Sequence, residues 1–303
     1  MKITILLSTY NGNKYLREQI DSFYTLDNIE DISILARDDG SSDGTQKILE
    51  EYQKNHSNFS WYQGENVGPA KSFWELLNKA SGSDYYCFSD QDDVWDKDKI
   101  SIAISKFSEL DVKKPLLYMS DTRVVNQELK LLSDGFVDKN VPTNYYAALS
   151  NSVCPGCTFV FNDNLRKLAV KFDAKKYIDH HDWTLYKIAC CFGEVYFDKV
   201  GHISYRQHEA NVIGSKKGLA KYWDILFKKT KDPKFIHQRQ RNALALLEYF
   251  GDIMPEEYKR VTYLIAHYTE DKKLKKELLK EKELKYSTGQ YLYLKYLIRK
   301  NVL

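Results

Sequence analysis

Apolar residues recur along this chain in two alternating rhythms. Residues 3–8, 32–36, 59–62, 85–89 and 116–119 are short apolar runs rich in β-branched or aromatic side chains, the length of strands. Between them, residues 15–24 place apolar side chains at 15, 16, 20, 23 and 24, a helical spacing, and residues 43–52, 70–80 and 100–110 also read as helices. Asp43 is placed to act as the N-cap of the second helix. Strands alternating with helices predict an α/β fold, a mostly parallel central sheet with helices on both faces. From about residue 112 the rhythm changes. Strands are expected over 158–161, 194–197 and 202–206, and helices over 163–172 and 179–192. Beyond 215 the pattern is helical throughout, with one apolar stripe at Leu219, Tyr222, Trp223, Leu226 and Phe227.

In sheets of this type ligands bind beyond the carboxyl ends of the strands. Four polar loops leave those ends here. They carry Thr9-Tyr10-Asn11, Asp38-Asp39-Gly40-Ser41, Asn66-Val67-Gly68 and Asp90-Gln91-Asp92-Asp93. All four are expected on one edge.

Composition narrows the class. At 43% hydrophobic and 29% charged residues over 303 positions, the chain can bury a real core. Its apolar runs are strand-sized rather than membrane-spanning, and the start MKITILLSTYNG turns polar too soon for an export signal, so a cytoplasmic protein is expected. Cys154 and Cys157 form a C-P-G-C pair and Cys190 and Cys191 are adjacent. A zinc site or a redox pair is conceivable, but buried reduced thiols fit the spacing better. The net charge of +3 is unevenly spread: residues 1–215 carry 24 Lys+Arg against 31 Asp+Glu, and residues 216–303 carry 21 against 11. This shift marks a boundary between a domain over 1–215 and a basic amphipathic helical region, 216–303.

Three constellations carry candidate chemistry. Asp90 and Asp92, two apart after a strand, can offer oxygen ligands to a hard cation that also binds diphosphate, or form a solvated acidic turn. Asp38 and Asp39 begin a turn into a helix that needs only one acid, which leaves a carboxylate free to accept the N–H of a pyrimidine base. Asp179-His180-His181-Asp182-Trp183 can supply a general base, a helix cap or metal ligands.

The combination resembles the family 2 glycosyltransferases, inverting enzymes of the GT-A fold. The carriers are ILLSTYNG (5–12), RDDGSSDGT (37–45), ENVG (65–68), SDQDDVW (89–95) and HHDW (180–183), and the likeness covers about residues 1–210. It implies that Thr9, Tyr10, Asp38, Asp39, Asn66 and Asp90 face the donor nucleotide, with Asp39 on the base. It implies that Asp90 and Asp92, joined by His208, hold Mn2+ or Mg2+, and that Asp182 is the catalytic base. His181 stands where a Glu is commoner in the family. Gly156 and Cys157, with Trp95 and His181, would line the acceptor side. SDQDDVW together with HDW and RQH resembles the bacterial rhamnosyltransferase branch, which implies dTDP-β-L-rhamnose as donor; a UDP-hexose is the runner-up. A non-catalytic nucleotide-sugar-binding subunit is a third reading, disfavoured by the intact Asp92 and Asp182. The implied acceptor is a saccharide, in lipid-linked form for cell-surface polysaccharide. The basic tail suits an anionic membrane surface, and no element resembles a nucleic-acid reader. A homodimer is compatible with all of this.

Overall fold

The structure is a computed structural model that describes residues 1–27, 29–135, 142–208, 232–233, 235–285 and 287–303; the apolar stripe expected over 219–227 lies outside them. The alternating first part follows the periodicity closely. In order it runs β1 (Ile3–Thr9), α1 (Leu16–Phe23), β2 (Ile32–Asp38), α2 (Thr45–Asn55), β3 (Phe59–Gln63), α3 (Pro69–Lys79), β4 (Tyr85–Ser89), β5 (Val94–Trp95) and α4 (Lys99–Phe107). There follow β6 (Leu116–Val125), β7 (Leu131–Asp134), α5 (Tyr145–Ser150), β8 (Val160–Asn162), α6 (Asp163–Ala169), α7 (Ala174–Tyr177), α8 (His181–Phe192) and β9 (Glu194–Arg206). The C-terminal region contributes α9 (Gln238–Phe250), α10 (Glu256–His267), α11 (Lys272–Lys280) and α12 (Thr288–Lys300).

One sheet runs through the molecule in the order β3-β2-β1-β4-β8-β6-β9-β5, with β7 added to β6. Strands β1 to β4 pair in parallel, as does β6 with β9, whereas β8 lies antiparallel between β4 and β6. Side chains on successive strand positions point to opposite faces. Leu6, Tyr86, Phe88, Leu117 and Phe161 therefore pack on one side with α3, α5, α6 and α8, and Ile5, Leu7, Ile34, Cys87 and Val160 on the other with α1, α2 and α4.

Several boundaries differ from expectation; β6, for one, runs on to Val125. Helix α2 begins at Thr45, and Asp43 caps from two residues outside it, accepting the Thr45 N–H at 3.1 Å. The two strands expected over 194–206 form the single strand β9. It crosses Asp198-Lys199-Val200-Gly201 through an irregularity against β6, where a Cβ on Gly201 would lie 2.7 Å from the backbone of Thr122. Strand β5 is only two residues long, too short to show a period, and exists because Val94 and Trp95 pair with Ser204 and Ile203.

The described C-terminal helices are not an appendage. Leu246, Phe250, Val261, Leu264, Leu294, Leu297 and Ile298 are buried in the same cluster as Phe73, Phe88 and Trp183. Replacing Leu246 with Ala should therefore cost about 2–5 kcal/mol of whole-chain stability. Denaturant unfolding should show a lower midpoint and a single transition; a separate early transition with the rest unaffected would mean that these helices fold independently.

Candidate active site

The edge where β1, β2 and β4 end is built by the loops lacing one another. Thr9 lies in register with Asp38, and its hydroxyl donates to Asp38 Oδ1 at 3.1 Å. The Asn11 N–H donates to Ser41 Oγ at 2.8 Å, and the Ser42 N–H returns to Asn11 Oδ1 at 2.9 Å. The Gly12 and Asn13 N–H groups reach Thr45 Oγ1 and Asp43 Oδ2 at 2.8 and 3.0 Å. Gly40, at φ +82°, turns the chain against the backbone of Asn66. Asn66 and Tyr10 are themselves exposed at this edge.

The two neighbouring acids of this edge have different capacities. An ionised carboxylate has about four acceptor positions. Asp38, fully buried, accepts the Thr9 and Ser41 hydroxyls, the Ser41 N–H and the Gln46 side-chain amide. Its positions are filled, and it shapes the loop. Asp39 accepts Arg37 at 2.5 Å and the N–H groups of Val67 and Gly68 at 3.0 and 2.9 Å, which leaves one position. Arg37, 1% exposed, is itself held by Glu75 at 2.8 Å.

The acidic loop follows β4. Gln91 clamps it to the first loop, accepting the Tyr10 N–H at 2.8 Å and donating to the Tyr10 carbonyl at 3.0 Å. A Cβ on Gly12 would fall 2.3 Å from the Gln91 amide oxygen, so this contact needs a glycine. Asp92 Oδ2 meets His208 Nε2 at 2.7 Å. Asp93 points inward and is fully buried: Oδ1 accepts the Arg206 N–H at 3.1 Å, and Oδ2 has no hydrogen-bond partner among the described residues. The Cys157 thiol lies within 4.8 Å of both Asp90 and Asp93. Burial, together with the charges of Asp92 and Asp182, pushes Asp90 up to about 7, and Asp93 is raised well above the usual carboxylate range by burial and by its two acidic neighbours.

These residues offer donors of the kind a divalent cation takes; the ligand atoms that lie within 4.8 Å of one another are those of Asp90, Asp93 and Cys157. The donors are carboxylate oxygens and one imidazole nitrogen, a set suited to Mn2+ or Mg2+, and their mutual repulsion calls for positive charge.

Arg206, 1% exposed, holds this arrangement from below. It donates to the Asp92 carbonyl at 2.8 Å, to Glu18 at 2.6 Å and to the Gln127 carbonyl. The ring of Tyr15 lies between its guanidinium, 4.5 Å away, and the ring of His208, stacked at 5.1 Å.

The last element is the start of α8. Asp182, half-buried, accepts the Trp183 N–H at 2.6 Å. His181 stacks on Phe73 at 4.1 Å, and burial draws it down to about 4, so it is neutral near pH 7. Gly156 lies beneath both: a Cβ there would be 2.6 Å from His181 Nε2 and 3.1 Å from Asp182 Cβ.

Three acceptor-side candidates lie buried. Trp95 is 3% exposed, with its ring against Phe23 at 4.9 Å and under the Lys99 ammonium at 3.7 Å, a core position. Cys157 and Gly156 are buried, one beneath the acidic loop and the other beneath His181. All five cysteines are free, and Cys87, Cys154, Cys157 and Cys191 are buried.

Sequence reasoning gave no role to Gln91, Asp93, Tyr15 or Arg206, although three of them stand in the motifs quoted above. A signal existed for Asp93 and Arg206: charged residues amid apolar strand and turn positions need partners. Their partners are 113 positions apart, and no local pattern names them.

With this geometry in view, the comparisons are direct. Residues 4–162 match the Glycosyl transferase family 2 model. The dTDP-rhamnosyl transferase RfbG of Shigella flexneri is 32% identical over 231 residues, covering 71% of this chain and 76% of that protein. The chain belongs to glycosyl transferase family 2 and is a glycosyltransferase. Its fold is GT-A. A crystal structure of S. aureus TarS matches 100% of this chain and 83% of its own, with a TM-score of 0.60 at 15% identity. The mannosyltransferase PcManGT from Pyrobaculum calidifontis, in complex with GDP-Man and Mn2+, matches 99% of this chain and 86% of its own, with a TM-score of 0.50 at 16% identity.

Replacing Arg206 with Met should cost about 1–3 kcal/mol, because buried carbonyls lose their donor. It should also weaken Mn2+ binding, since the Asp92 backbone and the Tyr15–His208 stack lose their support. Titration calorimetry with Mn2+ checks this. Unchanged Mn2+ affinity in a folded variant would mean that Arg206 does not hold the acidic loop.

Proposed function

We propose that this chain is an inverting, divalent-metal-dependent rhamnosyltransferase. It transfers L-rhamnose from dTDP-β-L-rhamnose to the hydroxyl of a saccharide acceptor, lipid-linked, in the synthesis of a cell-surface polysaccharide. The observation that carries this reading is the meeting of Asp92 and His208 at 2.7 Å beside Asp90, which in turn feels the charge of Asp182. The choice of rhamnose leans on the likeness to RfbG.

In this reading Asp90, Asp92 and His208 hold Mn2+ or Mg2+, with Asp93 backing them from inside. The cation, when bound, offsets the charge that grows on a departing diphosphate. Asp39 has the free acceptor position for the N–H of a thymine or uracil ring, whereas Asp38 shapes the loop. Thr9, Tyr10 and Asn66 border the nucleotide. Asp182 takes the proton from the acceptor hydroxyl as its oxygen attacks the anomeric carbon. One displacement inverts that carbon, so no enzyme nucleophile is required. Neutral His181 beside the base offers the acceptor a polar but uncharged wall.

Purified protein with Mn2+ should turn over dTDP-β-L-rhamnose, releasing dTDP with acceptor present, at a rate well above that with UDP-glucose or UDP-galactose. Preference for a UDP-hexose would replace the donor and keep the class. Asp92→Asn should abolish transfer and weaken metal-dependent donor binding. Asp182→Asn should keep donor binding while turnover falls about a hundredfold or more. Collapse of donor binding in Asp182→Asn would make that residue a cap or a ligand instead of the base.

Among the described residues no helix is long and apolar enough to cross a membrane. The C-terminal helices turn Leu278, Leu294, Leu297 and Ile298 inward and leave Lys272, Lys273, Lys276, Lys280, Arg299 and Lys300 exposed. This basic surface suits peripheral docking to an anionic leaflet, at about 1 kcal/mol per basic side chain near it. Co-sedimentation with anionic liposomes should fall steeply as salt rises. Equal binding to neutral liposomes, or none at low salt, would rule this docking out.

A further inference from the structure

Lys187 has no part in the roles above. It lies on α8, five residues after Asp182, and is 2% exposed. Its ammonium donates to Oδ1 of Asn242 at 2.5 Å and sits over the ring of Trp183 at 4.3 Å. Asn242 belongs to α9 and is 6% exposed. Its Nδ2 donates to Asp179 Oδ2 at 3.0 Å and to the Gln238 carbonyl at 2.7 Å. One amide of the C-terminal region thus ties the turn before the base to the cation behind it.

Trp183, which follows Asp182 directly, is fixed from several sides. Its indole N–H donates to the Ala148 carbonyl at 2.6 Å. The guanidinium of Arg239, also from α9, lies 5.6 Å from its ring and is itself tied to the Ser150 carbonyl at 3.0 Å. Two cations and one carbonyl therefore set the plane of the residue adjoining the base.

Burying an ammonium group without a carboxylate in contact costs several kcal/mol, and an apolar side chain would cost nothing of the kind. Burial accordingly draws Lys187 down to about 7. The charged groups that face it are Asp179 and Asp182, which favour its charged form, and Arg239, which opposes it. The field of this buried cation falls on Asp182.

We infer that Lys187 and Asn242 are positioning residues for Asp182, so that helix α9 completes the catalytic site. This rests on Asp182 being the base. Asn242 holds the first turn of α8 in place by gripping Asp179 and Lys187 together. Lys187, over the ring of Trp183, fixes the residue that adjoins Asp182.

The test uses full-length Asn242→Ala, Asn242→Gln and Lys187→Met, with Asp182→Asn as reference. Turnover is measured with dTDP-β-L-rhamnose and Mn2+ across pH, and amide hydrogen exchange of residues 179–184 is followed with no donor present. Asn242→Ala should lower kcat about tenfold with donor KM unchanged, the scale of a misplaced catalytic group. Exchange at 179–184 should rise while residues 186–192 stay protected. Asn242→Gln, which keeps both donor and acceptor, should recover part of each effect. Lys187→Met should likewise lower kcat with donor KM unchanged. A merely structural role would lower the melting temperature and leave kcat per folded molecule at the wild-type value; that result overturns the inference. So does wild-type exchange at 179–184 in Asn242→Ala. Should Lys187→Met not fold, the two Asn242 variants decide. Wild-type turnover in Asp182→Asn would instead overturn the base assignment, while the exchange data still report on whether Asn242 holds the turn.

Discussion

Three carboxylates in four residues repel one another, and much of the molecule serves to keep Asp90, Asp92 and Asp93 together at the end of β4. The cost is visible in the raised proton affinity of Asp90 and Asp93. Against it stand His208 on Asp92 and the backbone N–H of Arg206 on Asp93. These groups come from the end of β9 and the segment after it. In the function proposed above, a cation shared with the donor's phosphates would offset this repulsion.

The same constraint explains the arrangement of the neighbouring loops. Gln91 crosses to Tyr10, Asn11 crosses to Ser41 and Ser42, and Asp39 crosses to Val67 and Gly68. Each loop is fixed by the next, which places their exposed residues without requiring any loop to be rigid alone. This is pre-organisation: the ordering entropy is met in folding rather than when a donor binds.

The basic C-terminal region changes meaning once its packing is seen. Its composition differs sharply from the rest, and the chain divides there by charge. Its apolar side chains nevertheless join the cluster that carries Phe73, Phe88 and Trp183. Charge marks which face of these helices meets solvent, and burial marks which body they belong to. The two features are independent, because a helix can be basic on one face and core-forming on the other.

The strands, the helices between them and the edge on which the polar loops gather were legible in the sequence, because periods of 2 and 3.6 residues are local and the carboxyl-edge rule follows from a parallel sheet. The acidic motif, the position of Asp182 and the meeting of His208 with Asp92 were legible through family resemblance. Other assignments depended on distant partners. Asp38 and Asp39 look alike in the chain, yet only Asp39 keeps an acceptor position, because four donors from loops and helix close around Asp38. Trp95 follows the acidic loop by two residues and still faces the core, because β5 pairs with β9 and turns its side chain inward. Asn242 gives no sign in the sequence that it touches Asp179, in the turn before Asp182. Hydrogen-bond capacity and side-chain direction are settled by neighbours far along the chain, and only the folded backbone brings those neighbours within 3 Å.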